Sequence, residues 1–292
     1  MGVILQFSDI HFGCEHKAAV DEAMAYAHAY KADLNLITGD ITQSGLKHEF
    51  EAAAEWIKAL PDPVFVTVGN HDVPYWDVLA RLFWPWKAFE SATGHPAHDH
   101  ELKGADFMVR GVTTARGWQA RLNWSKGVID LDQTARAAQA LRQTPPDTLR
   151  ILACHHPLVE MIDAPMTGEV KRGDRAARIF GEAGVDLITT GHVHVPFALP
   201  IDMSERRCYA IGCGTLSMRE RDSYPPSFNR IEWDATHITV TVVQWDGLGF
   251  VDGESWTLKR RQDTRHSETA PDPAHAGPLE HDTLPETTPK AP

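Results

Sequence analysis

The chain has 292 residues, of which 42% are hydrophobic and 23% charged, and its formal net charge is −12 at pH 7. This is the composition of a globular protein with one large domain or two small ones. The acidic charge disfavours nucleic acids and anionic membranes as partners, because affinity for polyanions comes largely from Lys and Arg neutralising phosphates. A small phosphate ester remains compatible with it, since bound metal ions dominate the field around such a ligand.

No apolar run approaches the roughly 20 residues that a membrane-spanning helix needs. The first seven residues lack the basic and apolar segments of a signal peptide, so we expect a cytoplasmic protein. The four cysteines show no CxxC spacing, and a disulfide framework would be unusual in a chain of this size.

Strands and helices alternate in the first 70 residues. Apolar runs predict strands at Val3–Phe7, Leu34–Thr38 and Val64–Val68. Between them, alanines and helically spaced apolar residues predict helices at Lys17–Tyr30 and Lys47–Leu60. This alternation is typical of βαβ units and therefore indicates the α/β fold class.

The middle of the chain, Pro74–Gly127, is less regular, and its large aromatic and aliphatic residues concentrate between Tyr75 and Phe89. We expect most of them to pack as a helix over the edge of the sheet, because large aromatic residues are mostly core material. An aromatic wall beside a ligand site and a homodimer surface are the alternatives, since aromatic residues are enriched at both. A further strand is predicted at Phe107–Thr113.

The alternation resumes after residue 130 and later gives way to strands alone. A helix is predicted at Asp132–Arg142, with Asp132 as its N-cap. Next come a strand, a helix and a strand at Leu149–Cys154, Asp174–Glu182 and Val185–Thr190. We expect the remaining strands to form a second sheet packed on the first; they are Cys208–Ile211, Arg230–Trp233 and His237–Trp245.

The composition changes at about Lys259. From there on the chain is rich in Pro, Thr, Asp, Glu and His and has almost no large apolar residue, so it cannot bury enough surface to offset the entropy of ordering. We therefore predict a catalytic domain over residues 1–258 and a disordered tail over residues 259–292.

Five short polar blocks follow five of the predicted strands, where open α/β folds place their sites. In the first, Asp9 and His11 lie two residues apart and point the same way in extended geometry, so both can reach one ion. In the second, Asp40 follows Gly39 and has two oxygens with which to bridge two ions. A buried Asp–His hydrogen bond and an Asx-turn or N-cap are the respective non-metal alternatives.

The third block is Gly69-Asn70-His71-Asp72. The Asn70 amide oxygen is a candidate metal ligand. His71 lies beside the centre without having to bind metal, which leaves it available as a proton donor. We expect Asp72 to orient the His71 ring through its second nitrogen. A tight turn is the alternative, although it does not account for the His-Asp pair.

The last two blocks supply histidines. Of His155 and His156, which precede a proline, we choose His155 as the ligand. His192 and His194 lie two apart after Gly191 and suit two different ions. Together the blocks provide enough ligands for two ions that share Asp40, the standard arrangement for in-line displacement at phosphorus. Oxygen and imidazole donors suit Mn, Fe, Zn, Co or Ni.

The five blocks, D-x-H, G-D, G-N-H-D, H-H-P and G-H-x-H, resemble in order those of the calcineurin-like metallophosphoesterase superfamily. The resemblance implies a four-layer α/β/β/α sandwich of two mixed sheets flanked by helices. It implies that one ion is held by Asp9, His11, Asp40 and His194, and the other by Asp40, Asn70, His155 and His192. It also implies that His71 is the acid or the transition-state stabiliser.

The sequences Ser8–Gly13 and Gly39–Gly45 look most like the bacterial class III cyclic-nucleotide phosphodiesterase branch. We therefore expect a metal-bridging hydroxide to attack a small phosphodiester such as 3′,5′-cyclic AMP. A glycerophosphodiesterase, a phosphomonoesterase or protein phosphatase, and a lipid-phosphate hydrolase are the alternatives. Arg219 or Arg221 is a candidate phosphate-binding residue, with a solvated surface loop as the alternative, and Leu158–Arg172 is a candidate cover for the site.

Overall fold

The computed structural model describes residues 1–119, 123, 125–159, 170–201, 208–219 and 224–260. Within these ranges the chain forms twelve strands and six helices. The strands are β1 (Gly2–Phe7), β2 (Leu34–Thr38), β3 (Val64–Thr67), β4 (Glu101–Lys103), β5 (Phe107–Gly111), β6 (Leu149–Ala153), β7 (Leu187–Thr190), β8 (Phe197–Pro200), β9 (Tyr209–Gly212), β10 (Ser227–Trp233), β11 (His237–Trp245) and β12 (Phe250–Lys259). The helices are α1 (Lys17–Tyr30), α2 (Lys47–Ala59), α3 (Val78–Phe83), α4 (Lys87–Thr93), α5 (Leu131–Arg142) and α6 (Gly173–Glu182).

The strands form two six-stranded sheets, each of them mixed. The first has the order β12-β11-β10-β1-β2-β3, in which β1, β2 and β3 are parallel and β10, β11 and β12 are antiparallel. The second has the order β4-β5-β6-β7-β9-β8, in which β5, β6, β7 and β9 are parallel and both edge strands are antiparallel.

Both faces of each sheet are covered, which produces four layers. Successive residues of a strand point to opposite faces. In β1, Ile4 therefore packs between the two sheets while Leu5 and Phe7 pack against α1 and α2. In β6, Ile151 faces the other sheet and Leu152 faces α5 and α6. These layers confirm the predicted α/β/β/α sandwich.

The expected grouping of the late strands is wrong. They do not form a sheet of their own: β9 pairs in parallel with β7 in the second sheet, whereas β10 pairs antiparallel with β1 and extends the first sheet through β11 and β12. The local pattern of a strand reveals that its faces are buried but does not specify its neighbour, which depends on contacts distant in sequence.

Two predicted boundaries also differ from the structure. Asp130, not Asp132, caps α5, since its side chain accepts hydrogen bonds from the backbone N–H groups of Asp132 and Gln133, both at 2.9 Å. Strand β12 includes Lys259 and Arg260 is buried, so the folded part of the chain continues past residue 258. Residues 261–292 of the predicted tail lie outside the described residues.

The prediction that the aromatic segment packs as core is wrong for most of its members. Phe89 is fully buried and Trp86 partly so, but Tyr75, Trp76 and Trp84 are exposed. The four large aliphatic and aromatic side chains of α3 are exposed as well. The helix therefore presents its apolar residues outward instead of covering the sheet.

All four cysteines are free, as their spacing predicts, and three of them are buried. Among the described helices, none combines the length and the apolar character needed to cross a membrane.

Candidate metal centre

Five turns at the carboxyl ends of parallel strands meet where the two sheets adjoin. The turns follow β1, β2 and β3 of the first sheet and β6 and β7 of the second. Backbone hydrogen bonds join neighbouring turns, from the Asp9 N–H to the Gly39 carbonyl and from the Gly191 N–H to the His155 carbonyl, at 3.0 and 2.9 Å. The two sheets are joined by the His192 N–H, which donates to Asp9 Oδ2 at 2.9 Å. The seven predicted metal ligands therefore lie at a single rim.

One group of ligand atoms surrounds Asp9. Its Oδ1 lies 3.1 Å from Nε2 of His194 and 3.7 Å from Nε2 of His11. The two imidazole nitrogens lie 3.3 Å apart. Asp40 completes the group, with its Oδ2 3.9 Å from His11 Nε2.

The second group surrounds His155. Its Nε2 lies 3.2 Å from Oδ2 of Asp40 and 3.2 Å from Oδ1 of Asn70. The ring of His192 lies edge-on to that of His155, with 5.2 Å between their centroids. Asp40 Oδ2 therefore faces both groups, whereas Oδ1 accepts a hydrogen bond from the His71 backbone N–H at 2.8 Å. The structure thus offers one oxygen of Asp40, not both, for sharing between two ions.

Backbone carbonyls orient three of the four candidate histidine ligands. Nδ1 of His11 faces the carbonyl of Thr42 at 3.2 Å, Nδ1 of His155 that of Thr38 at 2.8 Å, and Nδ1 of His194 that of Arg219 at 2.7 Å. Since a carbonyl only accepts, each Nδ1 carries a proton and each Nε2 is directed into the centre. This is the usual way in which a protein prepares an imidazole to bind a metal ion.

Two buried atoms of the centre have no hydrogen-bond partner: Oδ1 of Asp9 and Nε2 of His192. A buried polar atom without a partner is costly, and one that carries charge more so. The lone pairs of His11 and His194 also face each other across 3.3 Å, which is unfavourable without a cation between them. The residues present therefore fit metal ions, and oxygen and imidazole donors at these spacings suit first-row divalent metals.

The electrostatics of the centre favour cations. Burial alone would raise the pKa of Asp9 and of Asp40, but the surrounding histidines outweigh it and hold both pKa values well below their usual range. Burial alone would lower the pKa of His155, but Asp40 outweighs it and raises that pKa to about 9. Burial holds the pKa of His192 well below its ordinary value. The centre therefore contains two ionised carboxylates, which attract cations, and a His192 imidazole that burial keeps neutral.

The backbone is strained at the same positions. Among the described residues, Asp9, His11, Asp40, His192 and His194 all have φ between +51° and +68°, in the left-handed region that non-glycine residues rarely adopt. Such strain persists only where the surroundings enforce it, and it collects at functional sites.

Two glycines permit the close approach of the turns. A Cβ on Gly69 would overlap the backbone and carboxylate of Asp40, and a Cβ on Gly191 would overlap the side chains of Ser8 and Asp9. Only glycine lets the backbone pass so near another turn. These glycines set the spacing between the ligands.

His71 lies at the rim and is oriented by a carbonyl. Its Nδ1 faces the Gln43 carbonyl at 2.6 Å, and its Nε2 lies 3.0 Å from Nη1 of Arg219. The rings of His71 and His11 meet edge-on with 4.8 Å between their centroids. The nitrogen of His71 that faces the centre is therefore not occupied by a structural carbonyl.

The expected role of Asp72 is wrong. Its carboxylate does not orient the His71 ring: Oδ1 accepts from the N–H and hydroxyl of Thr42 at 2.9 and 3.0 Å, and Oδ2 accepts from the Gly69 N–H at 2.8 Å. Burial, followed by the charge of Asp40, raises the pKa of Asp72 to about 7. Asp72 therefore joins the turn after β2 to the turn after β3. The Gln43 carbonyl, not Asp72, orients the His71 ring.

The structure separates the two adjacent histidines after β6. Nδ1 of His156 lies 2.8 Å from the Thr114 hydroxyl and its Nε2 lies 2.7 Å from the Ser125 carbonyl, so both nitrogens are occupied. The choice of His155 as the candidate ligand is consistent with this. The ring of His156 instead packs on that of His192, with 4.5 Å between the centroids.

Arg219 reaches the rim, which agrees with its prediction as a candidate phosphate-binding residue and not with the alternative of a solvated surface loop. Its Nη1 lies 3.0 Å from His71 Nε2 and 3.4 Å from His11 Nε2, and its carbonyl orients His194. Arg221 and residues 160–169 of the candidate covering loop lie outside the described residues. The orienting carbonyls of Thr38, Thr42 and Gln43 could not be predicted from the sequence, because a backbone carbonyl has no residue-type signature.

Comparisons with known proteins agree with this geometry. Residues 2–196 match the family described as calcineurin-like phosphoesterase. A protein of Arcobacter nitrofigilis named "Probable glycerophosphodiester phosphodiesterase GpdQ" is 26% identical over 211 residues, which cover 66% of this chain and 71% of that protein.

Solved structures share the fold. Purple acid phosphatase PPD1 from yellow lupin (Lupinus luteus) seeds aligns with a TM-score of 0.61 and 12% identity over 89% of this chain, which spans about half (54%) of the lupin protein. GAP50 of Plasmodium aligns with a TM-score of 0.55 and 14% identity, over 89% of this chain and 88% of that one. At such identities these likenesses show the fold alone. The family match, however, spans most of the chain and all five turns, and the chain therefore belongs to the calcineurin-like phosphoesterase family of metal-dependent phosphoesterases.

Proposed function

We propose that this protein is a dinuclear metal-dependent hydrolase of small phosphodiesters. The observation that carries the proposal is the position of Asp40 Oδ2, which faces His11 at 3.9 Å and His155 at 3.2 Å and so belongs to two ligand groups at once. A carboxylate oxygen in that position is suited to sharing between two ions, the arrangement used for in-line displacement at phosphorus.

Two sets of residues would hold the ions, each including Asp40. Asp9, His11 and His194 supply the rest of one set, and Asn70, His155 and His192 supply the rest of the other. The donors are carboxylate and amide oxygens and imidazole nitrogens without a thiolate, which suits Mn, Fe, Zn, Co or Ni. When bound, such ions acidify a coordinated water and withdraw charge from the phosphoryl oxygens.

His71 is the group we assign to the leaving oxygen. The Gln43 carbonyl holds its Nδ1 proton, so the ring cannot turn away and Nε2 stays directed to the rim. A protonated Nε2 would donate to the oxygen that departs from phosphorus, and an alkoxide needs this donation because it is a poor leaving group.

Arg219 is the group we assign to the phosphoryl oxygens. Its guanidinium is half-buried beside two rim histidines, where a fork of N–H donors favours a phosphate. It now donates to His71 Nε2, and a phosphate between the two would accept from both. The Arg219 carbonyl holds His194 independently of the side chain.

Two small phosphodiesters are the leading substrates. The class III resemblance favours 3′,5′-cyclic AMP, and the name of the Arcobacter relative favours a glycerophosphodiester. Both require the same centre. A phosphomonoesterase or protein phosphatase and a lipid-phosphate hydrolase on the same residues are the competing proposals. The catalytic domain through residue 260, the cytoplasmic location and the absence of a nucleic-acid partner also remain proposals.

The test is hydrolysis by metal-free protein, with and without added Mn²⁺, of bis-(p-nitrophenyl) phosphate, p-nitrophenyl phosphate, cyclic AMP and glycerophosphocholine. We expect Mn²⁺-dependent turnover of the dye diester to exceed that of the dye monoester. Turnover of cyclic AMP or of glycerophosphocholine decides between the two substrates. Preference for the monoester, with metal bound, would overturn the phosphodiesterase proposal.

A further inference from the structure

Helix α3 is turned with its charged residue inward and its apolar residues outward. Arg81 is 5% exposed, whereas Leu79 is 67% and Phe83 62% exposed. An ordinary surface helix has the opposite arrangement, because its apolar face is the one that packs on the protein.

The orientation of α3 is fixed by specific contacts. Nε of Arg81 donates to the Gly117 carbonyl at 3.0 Å and Nη1 donates to the Pro74 carbonyl at 3.1 Å. Asp77 caps the helix, accepting from the Ala80 N–H at 2.9 Å. Gly117 packs so closely that a Cβ there would overlap the Arg81 carbonyl. The buried guanidinium thus holds the apolar face toward the outside of the chain.

Eight large apolar residues form the exposed surface that we call the apolar patch. Each is between 48% and 75% exposed; they are Tyr75, Trp76, Val78, Leu79, Leu82, Phe83, Trp84 and Trp118. Seven lie within ten consecutive residues, and Trp118 is joined to them by the Arg81–Gly117 hydrogen bond. At roughly 150–250 Å² for each aromatic side chain, the patch exposes on the order of 1,000 Å².

That area is larger than a monomer ordinarily exposes and close to one partner's share of a stable interface. The largest apolar patch of a monomer is about 300–600 Å², and each partner of a standard complex buries about 800 Å². The patch also has the composition of an interface core, with three Trp, one Tyr and one Phe among its eight residues.

We infer that the apolar patch is the two-fold interface of a homodimer. A surface that is apolar throughout is complementary to its own copy, as an isologous contact requires. The flanking Asp77 and Lys87 carry opposite charges, so together they add no net charge to the margin of the patch. The chain's own residues 261–292 are a poor occupant, since they hold two leucines and no aromatic residue. The net charge of −12 opposes an anionic membrane.

The apolar patch lies close in sequence to the third turn of the metal centre. Tyr75 follows His71 by four residues, and Arg81 donates to Pro74 between them. This inference does not depend on which ester the centre cleaves.

The first test is the mass of the full chain in solution at micromolar concentration, by light scattering after size exclusion and by sedimentation equilibrium. We expect twice the 32.5 kDa of the chain. Leu79→Asp and Trp76→Ser should each raise the dimer dissociation constant about 100-fold or more. Each substitution is present in both copies, so a two-fold interface contains it twice. Leu248→Asp, at a 93% exposed leucine in the β11–β12 turn, is the matched control and should remain dimeric.

A cross-link tests the same contact without breaking it. Leu79→Cys should give a covalent dimer with a short bis-maleimide, and Leu248→Cys should not. Wild-type protein that is monomeric at tens of micromolar, or a dimer that Leu79→Asp leaves intact, would overturn the inference. So would monomeric protein that floats with phosphatidylcholine vesicles through Leu79, which would assign the patch to a membrane surface instead.

Discussion

Aspartates at strand ends behave differently in the two halves of the first sheet. In the antiparallel half, Asp234 accepts from the backbone N–H groups of Thr236 and His237, and Asp246 accepts from those of Leu248 and Gly249. In the parallel half, Asp40 Oδ2 faces histidines from other strands, and Asp9 Oδ1 has no hydrogen-bond partner. The same residue type closes its own turn in one half and reaches across turns in the other.

The pKa values separate the two kinds of aspartate by cause. The backbone N–H groups of Thr236 and His237 lower the pKa of Asp234 to about 2. For Asp9, burial works against ionisation, and His194 and His155 from two other turns, together with His11 of its own turn, bring the pKa down. The difference arises because parallel strands end at a common edge, where the turns of several strands meet, whereas a hairpin turn has only its own backbone at hand.

Replacing the shared carboxylate should give the largest effect and is the sharpest test of this difference. Asp40→Ala removes the oxygen that faces both ligand groups, so we expect the rate of diester hydrolysis to fall at least about 1,000-fold and metal content to fall with it. Elemental analysis and bis-(p-nitrophenyl) phosphate turnover measure the two losses. The matched control Asp246→Ala should keep both. Equal behaviour of the two variants would erase the difference between the halves.

Removing His71 should give the next largest effect. His71→Ala should lower turnover of cyclic AMP or glycerophosphocholine by about 10²- to 10⁴-fold, the usual worth of a positioned proton donor. The loss should be smaller for bis-(p-nitrophenyl) phosphate, whose leaving group departs without a proton. Metal content should not change. A loss of the same size on both substrate types would contradict the role of His71 as an acid.

Truncating Arg219 should have an intermediate effect. Arg219→Ala should lower kcat/KM about 10- to 100-fold, the worth of one or two charge-assisted hydrogen bonds, while the backbone carbonyl still orients His194. Steady-state kinetics and metal analysis check both points. Arg230→Ala, on β10 of the antiparallel half, is the control and should leave kcat/KM unchanged. If Arg219→Ala left kcat/KM unchanged, Arg219 would not bind the phosphate and would be part of a solvated surface loop.

The smallest effect is expected in the antiparallel half itself. Arg230 binds both oxygens of Asp252, at 2.8 Å each, and lowers the pKa of that carboxyl. Because the folded pKa lies below the unfolded one, the pair stabilises the fold above the unfolded pKa, and the contribution is lost as pH falls through the folded pKa. Asp252→Asn should therefore cost about 0.5–1 kcal/mol at pH 7, a range set by solvent exposure, and progressively less in acid.

Urea unfolding at pH 7 and in acid measures this cost. Glu254→Gln, an exposed carboxylate on the same strand, is the control and should change the free energy of unfolding less than Asp252→Asn does at pH 7. An Asp252→Asn cost that stays constant down to the lowest pH at which the fold survives would show that the ion pair is not its source. Catalytic rates should not respond to either change.

Much of the centre could be predicted because its candidate ligands are side chains of recognisable type that follow predicted strands. Asp9, His11, Asp40, Asn70, His155, His192 and His194 all follow recognisable apolar runs, and the structure brings all seven to one rim. The choice between His155 and His156 also agrees with the contacts of their rings. What failed was the role of Asp72, because the group that orients His71 is the carbonyl of Gln43, which any residue could supply.

The sequence by itself determined the α/β class, the order of the ligand blocks and the family, since these depend on local periodicity and residue type. Only the tertiary structure decided which sheet each late strand joins, that Asp40 presents one oxygen to two groups, and that Arg219 meets His71. It also decided that α3 turns its apolar face outward. Each of these depends on neighbours far apart in the chain. The six residues of α3 define an apolar face, but they do not define whether that face meets the protein or water.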